Sequence, residues 1–443
     1  MSSAPSLSPL RIGLAGLGTV GGGVWRHLHG QADLLARRCG RPLALEQVSA
    51  RNPDKARATG LEIPAAKLTT RWQDLVANPD LDVIVELIGG TGDAFELVKG
   101  ALEAGKHVVT ANKALLAERG AELFRLAASK KRRLLYEASV AGGIPLLQSL
   151  REGLVANRIV SIHGIINGTC NYILTQMSEH GLDYAGVLAE AKRLGYAEAD
   201  ESLDVDGHDT AHKAVVLAAL AYGFWPKLSE VPTRGIAGLE KQDVKFAQKL
   251  GYEVKLLAIL RSSGGDSVEV QVQPTLIPAR HVLASIKGVF NAVLVRGDVV
   301  GDTLFYGRGA GADATASAVL SDLASLASLA SSSGAESLGC GLWNEAASVR
   351  VAPAAAVTAR YYLRLMVADQ PGVLAQIAAV LGRRKIGISS VIQPEGHEGE
   401  VVPLILMIHD ANTGEYEAAR AELEALPVVK APAVSLRVED FAP

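Results

Sequence analysis

The stretch RIGLAGLGTVG, residues 11–21, decides the fold of the N-terminal region. A short strand-like run leads directly into Gly16, Gly18 and Gly21, which match the pattern G-x-G-x-x-G. The first glycine permits a tight turn, the second lets a pyrophosphate approach the backbone, and the third lets a helix pack on the strand. Because the helix that follows presents free N–H groups to the phosphates, the stretch predicts a dinucleotide-binding site.

Short apolar strands alternate with helical stretches around this motif, through residues 1–145. The strand-like runs are residues 11–15, 44–49, 83–87 and 107–110. Such alternation is typical of a parallel sheet with helices on both faces. We therefore predict an α/β chain that begins with a Rossmann-like dinucleotide-binding domain, residues 1–145.

The residues after the second predicted strand bear on which dinucleotide binds. In NAD-binding sites of this type, an acidic residue closes that strand and binds the ribose 2′-hydroxyl group. Here the strand is followed by Ala50 and Arg51, with Lys55 and Arg57 close behind. Arg51 can contact the 2′-phosphate of NADP, so NADP is favoured over NAD as the cofactor. A solvated basic turn is the alternative interpretation.

The rest of the chain divides into three further segments. Residues 146–330 mix longer strand-like runs with helices and predict an α/β or α+β domain. Residues 331–358 form an Ala/Ser/Gly-rich linker, and residues 359–443 show the order βαββαβ, which is the ferredoxin-like pattern. Because the linker composition indicates a separable module, truncation near Val357 is expected to leave the preceding domains active.

Bulk composition excludes several classes of protein. Apolar residues make up 49% and charged residues 21% of the chain, which is the balance of a globular protein. A formal net charge of -3 gives no basic footprint for nucleic acid. The Ser/Pro-rich N-terminus lacks the features of a secretory signal, and Cys39, Cys170 and Cys340 are odd in number and far apart. We expect a cytoplasmic protein that does not bind membranes.

The segment GYAEADESLDVDGHDTAHK, residues 195–213, is the richest in chemically active side chains. Its many carboxylates suit a ligand that carries a positive charge. A calcium loop is excluded because Ser202 would stand at the first ligand position and Lys213 at the position of the bidentate glutamate.

Asp209 and Lys213 lie four residues apart in a stretch that reads as a helix, so they share one face. A lysine held by carboxylates can donate a proton to a carbonyl oxygen and accept it in the reverse reaction. Taken alone, the pair could equally be an ordinary ion pair on the surface of a helix.

Five motifs together resemble the homoserine dehydrogenase family over residues 10–330. They are residues 195–213, VTANK at 109–113, YEASVAGGIP at 136–145, GIINGTCNYIL at 164–174 and GRGAG at 307–311. The resemblance implies NAD(P)-dependent interconversion of L-homoserine and L-aspartate 4-semialdehyde, with residues 146–330 as the domain for catalysis and oligomerisation. It also implies catalytic roles for Lys213, Asp209 and Lys113, and substrate binding by Glu198, Asp209, Tyr196, Asn167 and Thr169.

The same resemblance implies further ligand contacts. Cofactor contacts beyond the glycines and Arg51 map to Leu17, Thr19, Val20, Lys113, Gly195 and Gly311. The segment YEASVAGGIP is similar to the family's monovalent-cation loop, where Na⁺ or K⁺ would be held by Glu137, Val140, Gly142 and Ile144. Hard oxygen ligands suit such an ion. A glycine-rich crossover between domains is the alternative interpretation of this loop.

The sequence DQPGVL, residues 369–374, resembles the strand-to-helix turn of ACT regulatory domains. ACT domains bind amino acids, usually between subunits, so the resemblance implies a homodimer or homotetramer with L-threonine as the first candidate effector. An inert structural appendage is the alternative for this domain.

Two alternative hypotheses concern the function of the whole protein. In one, Cys170 is the nucleophile of an acylating aldehyde dehydrogenase, with His163 as its base. In the other, the protein senses NADP and an amino acid without catalysis. The intact set of Glu198, Asp209 and Lys213 disfavours this last reading.

Overall fold

The computed structural model describes residues 8–54, 60–197, 200–262, 264–329, 348–394, 397 and 400–441. The strands of the described residues, numbered along the chain, are β1 Leu10–Ala15, β2 Leu43–Ser49, β3 Leu68–Thr69, β4 Val83–Glu86, β5 His107–Thr110, β6 Leu134–Leu135, β7 Ile159–Ile165, β8 Tyr252–Ser262, β9 Ser267–Pro278, β10 Phe290–Gly297, β11 Gly301–Arg308, β12 Arg350–Val351, β13 Thr358–Ala368, β14 Ile388–Ile392, β15 Val401–Asn412 and β16 Val429–Val438.

The α-helices are α1 Thr19–Gly30, α2 Ala32–Cys39, α3 Gln73–Ala77, α4 Asp93–Glu103, α5 Lys113–Ser129, α6 Leu146–Gln148, α7 Gly168–His180, α8 Tyr184–Arg193, α9 Ser202–Val205, α10 His208–Tyr222, α11 Lys241–Lys249, α12 Ala312–Leu329, α13 Val373–Arg383 and α14 Thr413–Glu424. Cys340 and the predicted linker up to residue 347 lie outside the described residues.

The first compact unit comprises the described residues of Met1–Gly168, Asp209–Val231 and Phe290–Val349. Its main sheet is parallel, with the strand order β3-β2-β1-β4-β5-β6. The order reverses direction between β1 and β4, which is where doubly wound sheets bind ligands beyond the carboxyl ends of their strands. The predicted Rossmann-like sheet is confirmed.

Helix α12 completes the core of this unit, although it follows β1 by about three hundred residues of sequence. Ala316 and Leu323 of α12 are buried in the same apolar cluster as Ile12 and Leu14 of β1. The unit also holds the antiparallel sheet β11-β10-β7. Distant parts of the chain are therefore needed to bury the apolar face of the dinucleotide-binding sheet.

The second compact unit comprises the described residues of Thr169–His208, Pro232–Val289 and Arg350–Pro443. Its C-terminal part has the order β13-α13-β14-β15-α14-β16, so the predicted βαββαβ fold is confirmed. The strand order in this unit is β8-β9-β16-β13-β15-β14, with β12 also paired to β9. The parallel pairing of β16 with β9 makes the C-terminal fold an extension of the β8–β9 hairpin.

A buried ion pair accompanies this continuous sheet. Asp243 on α11 is fully buried and accepts hydrogen bonds from Arg364 Nε at 2.6 Å and Nη2 at 2.9 Å. The hydroxyl of Tyr362 donates to the same carboxylate at 2.8 Å. Because Tyr362 and Arg364 lie on β13, the carboxylate of α11 depends on the C-terminal fold for these partners.

A second group of charges joins the hairpin to β16. Arg437 pairs with Glu269 of β9 at 2.5 Å, and Arg261 of β8 pairs with Glu439. Truncation near Val357 would remove β16 from the edge of β9 and would take the β13 partners of Asp243 away. The linker composition suggests that the truncated enzyme stays active. The structure leads us to expect instead that truncation destabilises the second unit.

No helix within the described residues has both the length and the apolar character that crossing a membrane requires.

Candidate active site

The glycine turn after β1 forms a cradle for phosphate. Gly16 has φ +102, and a Cβ atom at this position would lie 2.5 Å from the carbonyl oxygen of Leu87. Gly18 precedes α1 and faces open space, and no side chain caps the N-terminus of that helix. The first amides of α1 are therefore available to an anion, and the residues present fit the pyrophosphate of a dinucleotide. Leu17, Thr19, Val20 and Gly21 belong to the same turn.

Arg51 lies beyond the end of β2, as the sequence predicts. Its side chain is 92% exposed, and its only close partner is an ion pair with Asp93 at 3.6 Å in the part of the chain that the structure describes. An exposed guanidinium with one weak partner can turn to a phosphate. Lys55 and Arg57 lie outside the described residues.

Gly311 lies just before α12 and has φ +120. This helix packs against α1, because a Cβ atom on Gly23 would lie 2.7 Å from the carbonyl oxygen of Ala312. The start of α12 is thus close to the helix that begins at the phosphate cradle. This position fits the cofactor contact that the family resemblance implies for Gly311.

Asp209 and Lys213 lie on one face of α10, as their spacing predicts. The Lys213 Nζ atom donates to Asp209 Oδ2 at 2.6 Å and to the carbonyl oxygen of Ile166 at 2.6 Å. Asn167 also donates to Asp209 Oδ2, at 3.0 Å. The side chain of Lys213 is only 10% exposed, so this is a buried pair rather than an ordinary surface ion pair.

Lys113 joins this group from the other side. It is the first residue of α5, directly after the carboxyl end of β5, and its Nζ atom lies 3.1 Å from Asp209 Oδ1. Burial acts to raise the pKa of Asp209, but the charges of Lys213 and Lys113 and the hydrogen bonds outweigh it and hold the pKa well below its ordinary value. Asp209 is therefore a stable anion that holds two lysines.

Two of the predicted substrate residues, Thr169 and Tyr196, lie in the second compact unit. The hydroxyl of Thr169 donates to the carbonyl oxygen of Tyr196 at 2.7 Å, so it holds the turn after α8. The ring of Tyr196 lies edge-on to Tyr172 and remains 43% exposed. Gly195 enters the turn with φ +75. Glu198 lies outside the described residues.

In the predicted cation loop, the carboxylate of Glu137 is already held by hydrogen bonds. Both oxygens of Glu137 accept hydrogen bonds from backbone amides, Leu147 at 2.9 Å and Gln148 at 2.7 Å. Burial raises the pKa of Glu137 above its ordinary value. Gly142 has φ +45 within the tight loop that also contains Val140 and Ile144. The monovalent-cation site at Glu137, Val140, Gly142 and Ile144 stays a prediction.

Cys170 does not have the surroundings of a covalent nucleophile. It is fully buried on α7, and its thiol donates to the carbonyl oxygen of Asp204 at 3.2 Å. A reactive thiol must be accessible to the carbonyl that it attacks. This burial disfavours the acylating alternative.

Sequence reasoning missed the residues that fix the two lysines. Asn112 caps α5 by accepting a hydrogen bond from the Leu115 amide at 3.1 Å, and the carbonyl of Ile166 binds Lys213. An asparagine directly before a helical run is a recognisable N-cap signal, so Asn112 could have been identified. A backbone carbonyl leaves no mark on the sequence.

A dinucleotide cradle and a cluster of two lysines on one buried carboxylate lie within one compact unit, and they suit an NAD(P)-dependent oxidoreductase acting on a CH–OH group. Comparison with known proteins supports this class. The family models "Homoserine dehydrogenase, NAD binding domain", "Homoserine dehydrogenase" and "ACT domain" match residues 16–137, 145–324 and 361–428. The chain belongs to the homoserine dehydrogenase family.

Individual relatives cover nearly the whole chain. A homoserine dehydrogenase of Pseudomonas aeruginosa is 45% identical over 438 residues, which is 98% of this chain and 100% of the relative. The crystal structure of one from Thiobacillus denitrificans is 44% identical, with a TM-score of 0.93 over 98% of this chain and 99% of that one. A hyperthermophilic archaeal homoserine dehydrogenase in complex with NADPH is 27% identical, with a TM-score of 0.61 over 72% of this chain and 98% of that one.

Proposed function

We propose that this chain catalyses the reversible reduction of L-aspartate 4-semialdehyde to L-homoserine, in the cytoplasm and on the route to threonine, methionine and isoleucine. The observation that carries the proposal is the cluster of Lys113, Asp209 and Lys213 in the unit that holds the dinucleotide cradle. Such a lysine pair bound to one buried carboxylate suits a carbonyl oxygen that gains negative charge during reduction.

Lys213 is the proton donor in this proposal. A bound nicotinamide cofactor supplies the hydride to the aldehyde carbon, or accepts it in the reverse direction. The ammonium of Lys213 has three N–H donors, and Asp209 and Ile166 use two of them. The third can donate to the substrate oxygen and release its proton there as the alcohol forms. Asp209 and the Ile166 carbonyl fix the direction of that donor.

Absorbance of the reduced nicotinamide during incubation with L-homoserine and NADP or NAD tests the proposal directly. Turnover with at least one cofactor is the expected result. Cofactor binding without turnover in either direction would favour the catalytically inactive sensor instead.

We also propose NADP as the preferred cofactor, through Arg51. Replacing Arg51 by alanine is expected to raise the KM for NADP about tenfold or more with little change for NAD, because a charge-assisted contact with phosphate contributes about 1.5–3 kcal/mol. The NADPH complex of the archaeal relative supports this choice. Initial rates with both cofactors measure the effect.

Asp93→Asn is the matched control for Arg51. It breaks the same ion pair at 3.6 Å but leaves the guanidinium in place, so the KM for NADP should not rise. An equal rise in KM for both cofactors in Arg51→Ala would show that Arg51 does not contact the 2′-phosphate.

Feedback inhibition by L-threonine through the ACT domain is a further proposal. Gly372 precedes α13 with φ +86, and no side chain caps that helix. Its amides can thus receive the carboxylate of an amino acid. Gly372→Asp would cap those amides itself, so we expect the inhibitory threonine concentration to rise several-fold without a change in the KM for homoserine.

Gly372→Ala is the control for that variant, because it also places a Cβ atom at this positive φ but adds no carboxylate. It should keep threonine inhibition close to that of the unchanged enzyme. Indifference of the full-length enzyme to millimolar threonine would exclude this effector.

A homodimer or homotetramer is proposed as the active assembly. The edge strand β11 exposes Leu304 and Tyr306, which are 36% and 54% exposed. Apolar side chains on an exposed edge strand favour association with another chain. The molar mass in solution, from light scattering, tests this proposal.

A further inference from the structure

Glu86 is a buried carboxylate at the carboxyl end of β4 to which the family resemblance assigns no role. It is fully buried, although β4 ends beside the point where the strand order reverses. Its Oε1 atom accepts hydrogen bonds from the amides of Ile88 at 2.9 Å and Gly89 at 3.1 Å. Its Oε2 atom accepts from the hydroxyl of Thr110 at 2.6 Å.

These hydrogen bonds connect two loops. The Thr110 hydroxyl also accepts from the amide of Asn112 at 3.0 Å. The side chain of Asn112 donates to the carbonyl oxygen of Gly90 at 2.7 Å and caps the helix that begins with Lys113. A closed ring therefore ties residues 87–90, which follow β4, to residues 110–112, which follow β5.

Each loop touches one half of the candidate active site. The carbonyl of Leu87 backs the glycine turn so closely that a Cβ atom on Gly16 would collide with it. Gly89 and Gly90 both have positive φ, so this loop has a special backbone shape that needs fixed partners. The other loop leads directly into Lys113, whose ammonium contacts Asp209.

A carboxylate suits this position better than an amide would. The carboxylate of Glu86 is the acceptor in its hydrogen bonds with Ile88, Gly89 and Thr110, and ionised carboxylates are acceptors only. Burial raises the pKa of Glu86, while its hydrogen bonds with Thr110, Gly89 and Ile88 act in the opposite direction. A glutamine would turn an N–H donor toward either the loop amides or Thr110.

We propose that Glu86 is a positioning residue of the dehydrogenase, which fixes the loop behind the cofactor cradle and the placement of Lys113 through one hydrogen-bonded ring. The proposal rests on the proposed function for its kinetic consequence. The placement of the loop behind the cradle affects cofactor binding whether or not homoserine is the substrate.

Three variants test this ring. Thr110→Val removes the hydrogen bond from Thr110 to Glu86, and Glu86→Gln places an N–H donor against either the loop amides or Thr110. Because both variants break the same ring, each should lower kcat/KM for homoserine roughly tenfold, and the double variant should lose little more. Thr110→Ser keeps the hydroxyl and should retain the activity of the unchanged enzyme. In a Lys113→Ala background, Glu86→Gln should add little further loss of kcat.

Asp82→Asn is the matched control at the other end of β4. Asp82 binds the Arg11 amide at 2.8 Å and is remote from the cradle in the strand. It should lower the melting temperature without changing kcat/KM. Two results would overturn the positioning role. One is that Glu86→Gln lowers only the melting temperature and leaves kcat/KM unchanged, as Asp82→Asn should. The other is that its loss of kcat/KM adds fully to that of Thr110→Val.

Titration with NADPH, followed by its fluorescence, separates the two proposals. Glu86→Gln and Thr110→Val should bind NADPH several-fold more weakly than Thr110→Ser. If the unchanged enzyme fails to oxidise homoserine, the proposed function fails, and weakened NADPH binding still supports the ring. Unchanged NADPH binding in both variants would overturn the role of Glu86 at the cradle.

Discussion

Replacing Lys213 by alanine is expected to lower kcat roughly 10²- to 10⁴-fold while cofactor binding is retained, which is the usual contribution of a positioned acid or base. The reason is geometric. Two of the three donors of Lys213 are fixed by Asp209 and the Ile166 carbonyl, and the third is the proposed proton donor to the substrate. Initial rates with homoserine and titration with NADPH measure the two quantities separately.

Two variants make this result specific. Lys213→Arg keeps the positive charge but does not release a proton at ordinary pH, so it should be nearly as slow as Lys213→Ala. Cys170→Ala should keep a near-normal kcat, since the thiol is buried and donates to a backbone carbonyl. A near-normal kcat in Lys213→Ala would remove Lys213 from the chemistry, and an inactive Cys170→Ala would favour covalent catalysis.

Local patterns predicted several individual elements of the N-terminal sheet and the elements of the C-terminal domain. The strand at residues 107–110 agrees with β5, and the strand at residues 44–49 differs from β2 by one residue at its start. Both runs are short and contain valine, with ALEQVS at residues 44–49 and HVVT at residues 107–110, so each favours a strand over a helix. The order βαββαβ was equally evident because each element carries its own apolar pattern.

Long-range pairing could not be predicted in the same way. Nothing in the local sequence of β16 indicates that it pairs with β9, since the partner residues Glu269 and Arg437 are 168 positions apart. The Ala/Ser/Gly-rich composition between them instead favoured a separable domain. The composition of a segment indicates which local structure it favours, whereas the pairing of strands in a sheet depends on the whole fold.

The site shows the same division between local and distant information. The pairing of Asp209 with Lys213 follows from helical spacing alone. The contact of Lys113 with Asp209 could not be predicted from local spacing, because Lys113 comes from another strand and helix. The role of Glu86 could not be predicted from the sequence. Glu86 ends the apolar run VIVE, and a charged residue at that position normally indicates only that the strand ends there.

Replacing Asp243 by alanine is expected to lower the free energy of unfolding of the second compact unit by about 3–5 kcal/mol, because it leaves a buried guanidinium without its main partner. Arg364 is 3% exposed and keeps an ion pair with the half-exposed Glu240 at 3.0 Å. That remaining contact places the expected loss near the lower end of the range. Urea unfolding followed by circular dichroism, with hydrogen exchange of β13 peptides, measures the change.

A triple variant distinguishes the unpaired charge from a simple cavity. Asp243→Leu with Arg364→Met and Tyr362→Phe removes the three buried polar side chains of the cluster together and leaves only the half-exposed Glu240. Replacing a complete buried ion pair by apolar residues of similar size costs little stability. We expect this variant to recover most of the lost free energy of unfolding. A triple variant as unstable as Asp243→Ala would attribute the loss to packing, and a loss below about 1 kcal/mol in Asp243→Ala would show that β13 does not depend on α11 for its stability.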